Sequence, residues 1–132
     1  MIVLDTHALV WLLGAEKKRL SSIALKTIDR ELASGQVVVS SISAWEIAML
    51  VQHDKLHLSM DVTVWLEVAS GIENLEFQPV DNVVAVKSRF LPGAFHPDPA
   101  DRIIVALARE LACPLVTADD KIRNYPHVAT IW

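Results

Sequence analysis

The chain has 132 residues, 52% of them hydrophobic and 21% charged, with a net charge of −4. That length suits one compact domain, residues 1–132, with a real core. A mean hydropathy of +0.35 and a pI near 5.7 argue against a disordered chain and against one that holds nucleic acid through bulk positive charge, so any such binding must use a local patch.

The single cysteine, Cys113, cannot form an internal disulfide, which fits a reducing compartment. Beside Pro114 and Leu115 it reads as a small buried residue. The first residues lack the basic leader of a signal peptide, and Asp5 and His7 interrupt their apolar stretch. No apolar run reaches the ~20 residues of a membrane helix. The expectation is a soluble cytoplasmic protein without membrane contact.

Ile2–Leu4 predicts a buried strand, followed by a short apolar helix, Ala8–Leu13, closed by Gly14. A helix fits Ser22–Ala33, with Ile23, Ile28 and Leu32 on its buried stripe and Gly35 as its stop. Val37–Ser40 predicts a strand, Ser43–Val51 and Asp61–Ser70 helices, and Leu75–Gln78 a third strand. Val83–Phe90 reads as helical, ending before Pro92. Ala100–Leu111 is the clearest helix, with Ile103, Ile104, Leu107, Ala108 and Leu111 at helical spacing. Leu115–Thr117 predicts a strand, Asp120–Asn124 a short helix, and Val128–Trp132 a last strand. Short apolar strands separated by helices favour an α/β fold: a central, mainly parallel sheet covered on both faces. Ligands of such folds bind at the carboxyl ends of the strands.

Four acids are expected at that rim. Asp5 follows the first strand, Glu46 opens the helix after the second, and Asp119 follows Leu115–Thr117. Asp101 begins the helix that runs antiparallel into that last strand, so it starts at the same edge. Each has a capping alternative. Ser43 and Glu46 have capping-box spacing. Asp98, Pro99 and Asp101 make a well-formed helix start. Asp5 or Thr6, and Thr117 or Asp119, are placed to cap the helices that follow them. Caps do not require several carboxylates to meet in one crevice, where unpaired acids repel and take up protons. A divalent cation removes that cost. Oxygen ligands without Cys or His at metal spacing suit Mg²⁺ or Mn²⁺ rather than Zn²⁺, and those ions serve phosphate chemistry.

With these residues in place, the chain resembles the PIN-domain nucleases, and within them the VapC-like ribonuclease toxins of toxin–antitoxin pairs. The resemblance rests on I-V-L-D-T-H at 2–7, S-A-W-E-I-A at 43–48, H-P-D-P-A-D-R-I-I-V-A-L-A at 96–108 and L-V-T-A-D at 115–119. These pieces stand in family order and spacing and span nearly the whole chain. The resemblance implies a three-layer α/β/α sandwich and Mg²⁺- or Mn²⁺-dependent cleavage of RNA. It implies that Asp5, Glu46, Asp101 and Asp119 are the catalytic metal ligands. Thr6 and Thr117 would then be hydroxyls that orient carboxylates or metal-bound water. Asp98 competes with Asp101 for the third acidic position, which Asp101 fits better because Arg102 and the apolar helix follow it; Asp98 is then a cap that supports Asp101. It also implies a cognate antitoxin and a homodimer as partners.

Arg102 and Lys121 adjoin proposed ligands and are the favoured RNA contacts among Lys17, Lys18, Arg19, Lys55, Arg102, Lys121 and Arg123. His7 and His96 lie near the expected crevice, where they could support the ligands, shuttle protons or simply pack. His53, His57 and His127 show no constellation. Trp11, Leu12, Leu13, Trp45, Met49 and Leu50 read as core, with a groove for an antitoxin helix or a self-association surface as the alternative. Two other readings stay open. One is a non-catalytic interaction module with the same fold. The other is a metal-dependent phosphatase of the haloacid dehalogenase type, which usually needs a second Asp where this chain has His7.

Overall fold

Side chains alternate across a strand, and the apolar runs of this chain use both directions. The computed structural model, which describes all 132 residues, has β1 at Ile2–Leu4, β2 at Val37–Ser40, β3 at Leu75–Gln78, β4 at Leu115–Val116 and β5 at Thr130–Ile131. They form one parallel sheet in the order β3-β2-β1-β4-β5. Ile2, Leu4, Val37 and Val39 point to one face, while Val3, Val38 and Leu115 point to the other. Continuous Val and Ile runs are therefore what a strand buried on both faces needs.

Seven helices cover the two faces. These are α1 (Thr6–Leu13), α2 (Ser22–Ser34), α3 (Ile42–Gln52), α4 (Val62–Ser70), α5 (Asn82–Arg89), α6 (Pro99–Glu110) and α7 (Asp120–Arg123). Leu9 and Leu12 of α1, Ile28 of α2, Ile47 of α3 and Trp65 of α4 pack on the first face. Val84 of α5, Ile104, Val105 and Leu107 of α6, and Ile122 of α7 pack on the second. The result is the expected three-layer α/β/α sandwich.

Two expected boundaries shift for identifiable reasons. Helix α1 begins at Thr6, because Asp5 caps it by accepting from the Ala8 amide at 2.8 Å. Helix α3 begins at Ile42, whose amide reaches the Ser40 hydroxyl at 3.2 Å. A single 3₁₀ turn at Lys17–Arg19, not anticipated, links α1 to α2. The last strand is also shorter than expected, Thr130–Ile131 rather than Val128–Trp132.

Arg102, an expected RNA contact, is engaged by the chain's own backbone. Its guanidinium donates to the carbonyls of Ser88 at 2.8 Å, Phe95 at 3.1 Å, and His96 and Arg89 at 3.4 Å. It pins the end of α5 and the 95–96 segment to α6, and that commitment leaves little of its hydrogen-bonding capacity for a ligand. Replacing Arg102 with Ala should lower unfolding free energy in urea by about 1–3 kcal/mol, since several carbonyls lose their donor. Lys should restore little of it, because one ammonium cannot span that fork of acceptors.

Candidate metal centre

In the strand order, β1 neighbours β2 on one side and β4 on the other, so the crossover direction reverses between β1 and β4. The crevice outside the carboxyl ends of these strands is where such sheets bind ligands. Here it has a volume of about 370 Å³ and is lined by Asp5, Glu46, Asp98, Asp101 and Asp119, together with Thr6, His7, Trp11, Arg19 and Ala118. All four acids expected to share an edge do so, and Asp98 joins them.

Asp5 is the deepest, only 7% exposed. One oxygen accepts from the Ala8 amide and the other from the Thr117 hydroxyl. The Asp119 amide in turn donates to the Thr117 hydroxyl at 3.0 Å, so one threonine ties two acids together. Asp119 caps α7 through the Lys121 amide at 2.8 Å. Asp98 caps α6 through the Asp101 amide at 3.1 Å. Asp5, Asp98 and Asp119 are thus both caps and walls of one crevice, and the two readings of these acids are compatible.

Glu46 is different. The capping-box alternative fails, because Ser43 lies inside α3 and its hydroxyl meets that of Thr6 at 2.8 Å in a fully buried contact. Glu46 therefore stands one turn into the helix and caps nothing. The same contact occupies Thr6, which also lines the crevice. Its hydroxyl locks α1 to α3 and orients no carboxylate, whereas Thr117 does orient Asp5.

Crowding sets the electrostatics. Burial, then repulsion from Asp98, Asp119, Glu46 and Asp5, pushes the Asp101 carboxyl up to about 7. Burial raises Asp5 as well, opposed by its bonds from Thr117 and Ala8. His96 Nε2 lies 3.1 Å from Asp101 Oδ2 but out of line for a hydrogen bond, and has no other partner. As the side chains are turned, no three Asp, Glu, His or Cys groups converge on one ion position. The donor set nonetheless fits a hard divalent cation, being rich in carboxylate oxygen, with burial raising two of its members, Asp5 and Asp101.

Lys121, an expected RNA contact, reaches a crevice acid only through its backbone amide, and its side chain is not among the lining groups. Sequence reasoning put Arg19 among seven candidate cations without favouring it, and gave Trp11 to the core; both line the crevice. The signal for Arg19 lay in the 3₁₀ turn, which no hydrophobic period marks.

Because the folded Asp101 holds a proton that the unfolded chain has released, stability should fall as pH rises from about 4 to about 7. In calorimetry with a chelator present, Asp101→Asn should flatten that slope and raise Tm at pH 7.5 by about 3–6 °C. Mn²⁺ should stabilise the natural chain most above pH 7, where the carboxylates are free to ligate.

The fold agrees with comparisons to known proteins. The PIN domain family model matches residues 2–128. A relative, the ribonuclease VapC22 of Mycobacterium tuberculosis, is 34% identical over 134 residues, covering 99% of this chain and 98% of the relative. Among solved structures, one in VapBC2 from Rickettsia felis bound to a promoter DNA fragment aligns with TM-score 0.69 at 18% identity, over 98% of this chain and 97% of that one. A toxin–antitoxin complex from Klebsiella pneumoniae gives 0.68 at 17% identity with the same coverage. FitAcB from Neisseria gonorrhoeae gives 0.66 at 20%, over 98% of this chain and 96% of that one. At such identities these structures speak to the fold, and the family model and the relative speak to descent: the chain belongs to the PIN-domain family.

Proposed function

We propose that this chain is a metal-dependent endoribonuclease that hydrolyses RNA phosphodiester bonds and acts as the toxin of a type II toxin–antitoxin pair. The observation that carries the reading is the gathering of five carboxylates around one crevice at the switch point, with Asp101 pushed up to about 7 by burial first and by its acidic neighbours second. The likeness to ribonuclease VapC22 along nearly the whole chain supports RNA as the substrate class.

On this reading residues 1–132 form one PIN-like domain, and Asp5, Glu46, Asp101 and Asp119 hold Mg²⁺ or Mn²⁺. The ion supplies Lewis-acid polarisation of the phosphate and a water of lowered pKa for in-line attack. The chain supplies the rest. Thr117 and the Ala8 amide fix both oxygens of Asp5, and the Lys121 amide fixes one oxygen of Asp119. Asp101 must lose its proton before it can ligate, so cation affinity rises with pH through the neutral range. Asp98 holds the first turn of α6, which carries Asp101. His96, at contact distance from Asp101, supports it, and exposed His7 lies at the crevice mouth.

A cognate antitoxin and a second copy of the chain are the proposed protein partners, and the cytoplasm the proposed location. No helix is long and apolar enough to cross a membrane. The toxin–antitoxin complexes among the structural neighbours motivate the antitoxin. Exposed Trp45 on α3, with Val83, Val86 and Phe90 along α5, offers apolar surface for association.

Asp5→Asn should lower RNA cleavage by about 1,000-fold, the several kcal/mol that a bound cation contributes, while Tm in chelator stays level or rises. The amide can still cap α1, and a buried charge is removed. Wild-type cleavage by this variant would show that Asp5 is not an essential ligand. Glu46→Gln should abolish cleavage with Tm unchanged; loss of stability with activity kept would make Glu46 a structural residue.

A further inference from the structure

Beside the acid crevice lies a larger groove of about 660 Å³, walled by α1, the 3₁₀ turn, the end of α3 and the segment before α4. His7, Trp11 and Arg19 line both hollows, so the two are continuous. The charge changes sign along the way. The crevice is walled by acids, whereas the groove contains Arg19, Lys55, His7 and His57 against the single acid Glu16.

At the junction, the Arg19 guanidinium carbon lies 4.6 Å from the centroid of the Trp11 ring. Trp11 is itself held by tilted contacts with His7 at 5.8 Å and Trp132 at 5.9 Å. The Arg19 side chain is 57% exposed and pairs with an equally exposed Glu16 at 2.9 Å. A pair that exposed is worth little, so it does not lock the guanidinium away. An arginine plane backed by an aromatic ring is a platform on which an unstacked base can lie, and it is tolerant of base identity.

We propose that the Trp11–Arg19 ledge binds the nucleotide of a single-stranded RNA adjoining the scissile phosphate, its base stacked on the guanidinium and its strand continuing into the groove past Lys55. This rests on the nuclease reading, and it names where that site holds its substrate. Charge complementarity and continuity with the crevice favour RNA as the occupant. Arg19 contributes to RNA binding and not to holding the cation, since it ligates nothing and its positive charge beside the acids can only oppose a metal ion.

The test is fluorescence anisotropy of a labelled, mixed-sequence single-stranded RNA of about 12 nucleotides, long enough to span both hollows. The Asp5→Asn chain serves as the non-cleaving parent. Adding Arg19→Ala should weaken binding about tenfold, and Arg19→Lys should recover less than half of that loss, because an ammonium keeps the charge and loses the plane. In the otherwise natural chain, Arg19→Ala should leave Mn²⁺ affinity by calorimetry level or raise it, because it removes a positive charge beside the acids. If Arg19→Lys binds RNA as the parent does, the platform is wrong and only charge matters. If Arg19→Ala binds as the parent does, the groove serves another occupant, such as a protein segment. A fall in Mn²⁺ affinity with Arg19→Ala would also overturn the proposal, by tracing the effect to the crevice. A natural chain that binds no Mn²⁺ would sink the metal-nuclease reading while leaving the ledge as an RNA site.

Discussion

The arrangement depends on a buried charge that the fold must tolerate. Asp5 lies at the end of the central strand, almost wholly removed from water, with acids on every side of the crevice. A carboxylate there is costly unless donors meet it. Two do, and they come from opposite ends of the sequence: the Ala8 amide three residues on and the Thr117 hydroxyl 112 residues on. The parallel pairing of Leu4 with Val116 is what brings that hydroxyl alongside. The register of β1 against β4 is therefore also the specification of the site.

Helix caps explain how the acids are aimed. A helix start offers unpaired amides and a positive dipole end, and a carboxylate placed there is held in position and partly relieved of its charge. Asp5, Asp98 and Asp119 each take one such amide. In an α/β fold the helices after β1 and β4, and the helix that precedes β4, all begin at the same rim. Capping thus gathers acids at one edge before any ligand arrives. The relief is incomplete: burial first and then repulsion from neighbouring acids still raise Asp101, and the repulsion is the part a cation would remove.

The layers were legible because each strand is short, apolar and bounded, and α6 carries a clear helical stripe. The four-acid set was legible because topology alone puts strand ends and helix starts on one rim. What escaped was set by contacts between residues far apart in sequence. Ser43 looked like a cap from its spacing to Glu46, yet its hydroxyl belongs to Thr6, 37 residues away. Arg102 looked like a phosphate contact from its neighbour Asp101, yet carbonyls of α5 and the 95–96 segment claim it. Trp11 sits on a helix apolar on nearly every side, so no period separates its core face from the side that meets the crevice.

The acidic net charge, which at first argues against an RNA-binding protein, is a property of one place. The chain has 16 acids and 12 Lys and Arg residues, and five of the acids line the crevice. Set those five aside and twelve cations face eleven acids, so the remainder is close to neutral. Net charge governs steering over the whole surface, whereas a strand bound in a groove feels the charges within about a Debye length. For a phosphate approaching along the groove, those are Arg19 and Lys55 first and the carboxylates after them. On the proposed reading the carboxylates repel it only until a divalent cation sits among them, so cation and RNA would bind cooperatively, each lowering the cost of the other.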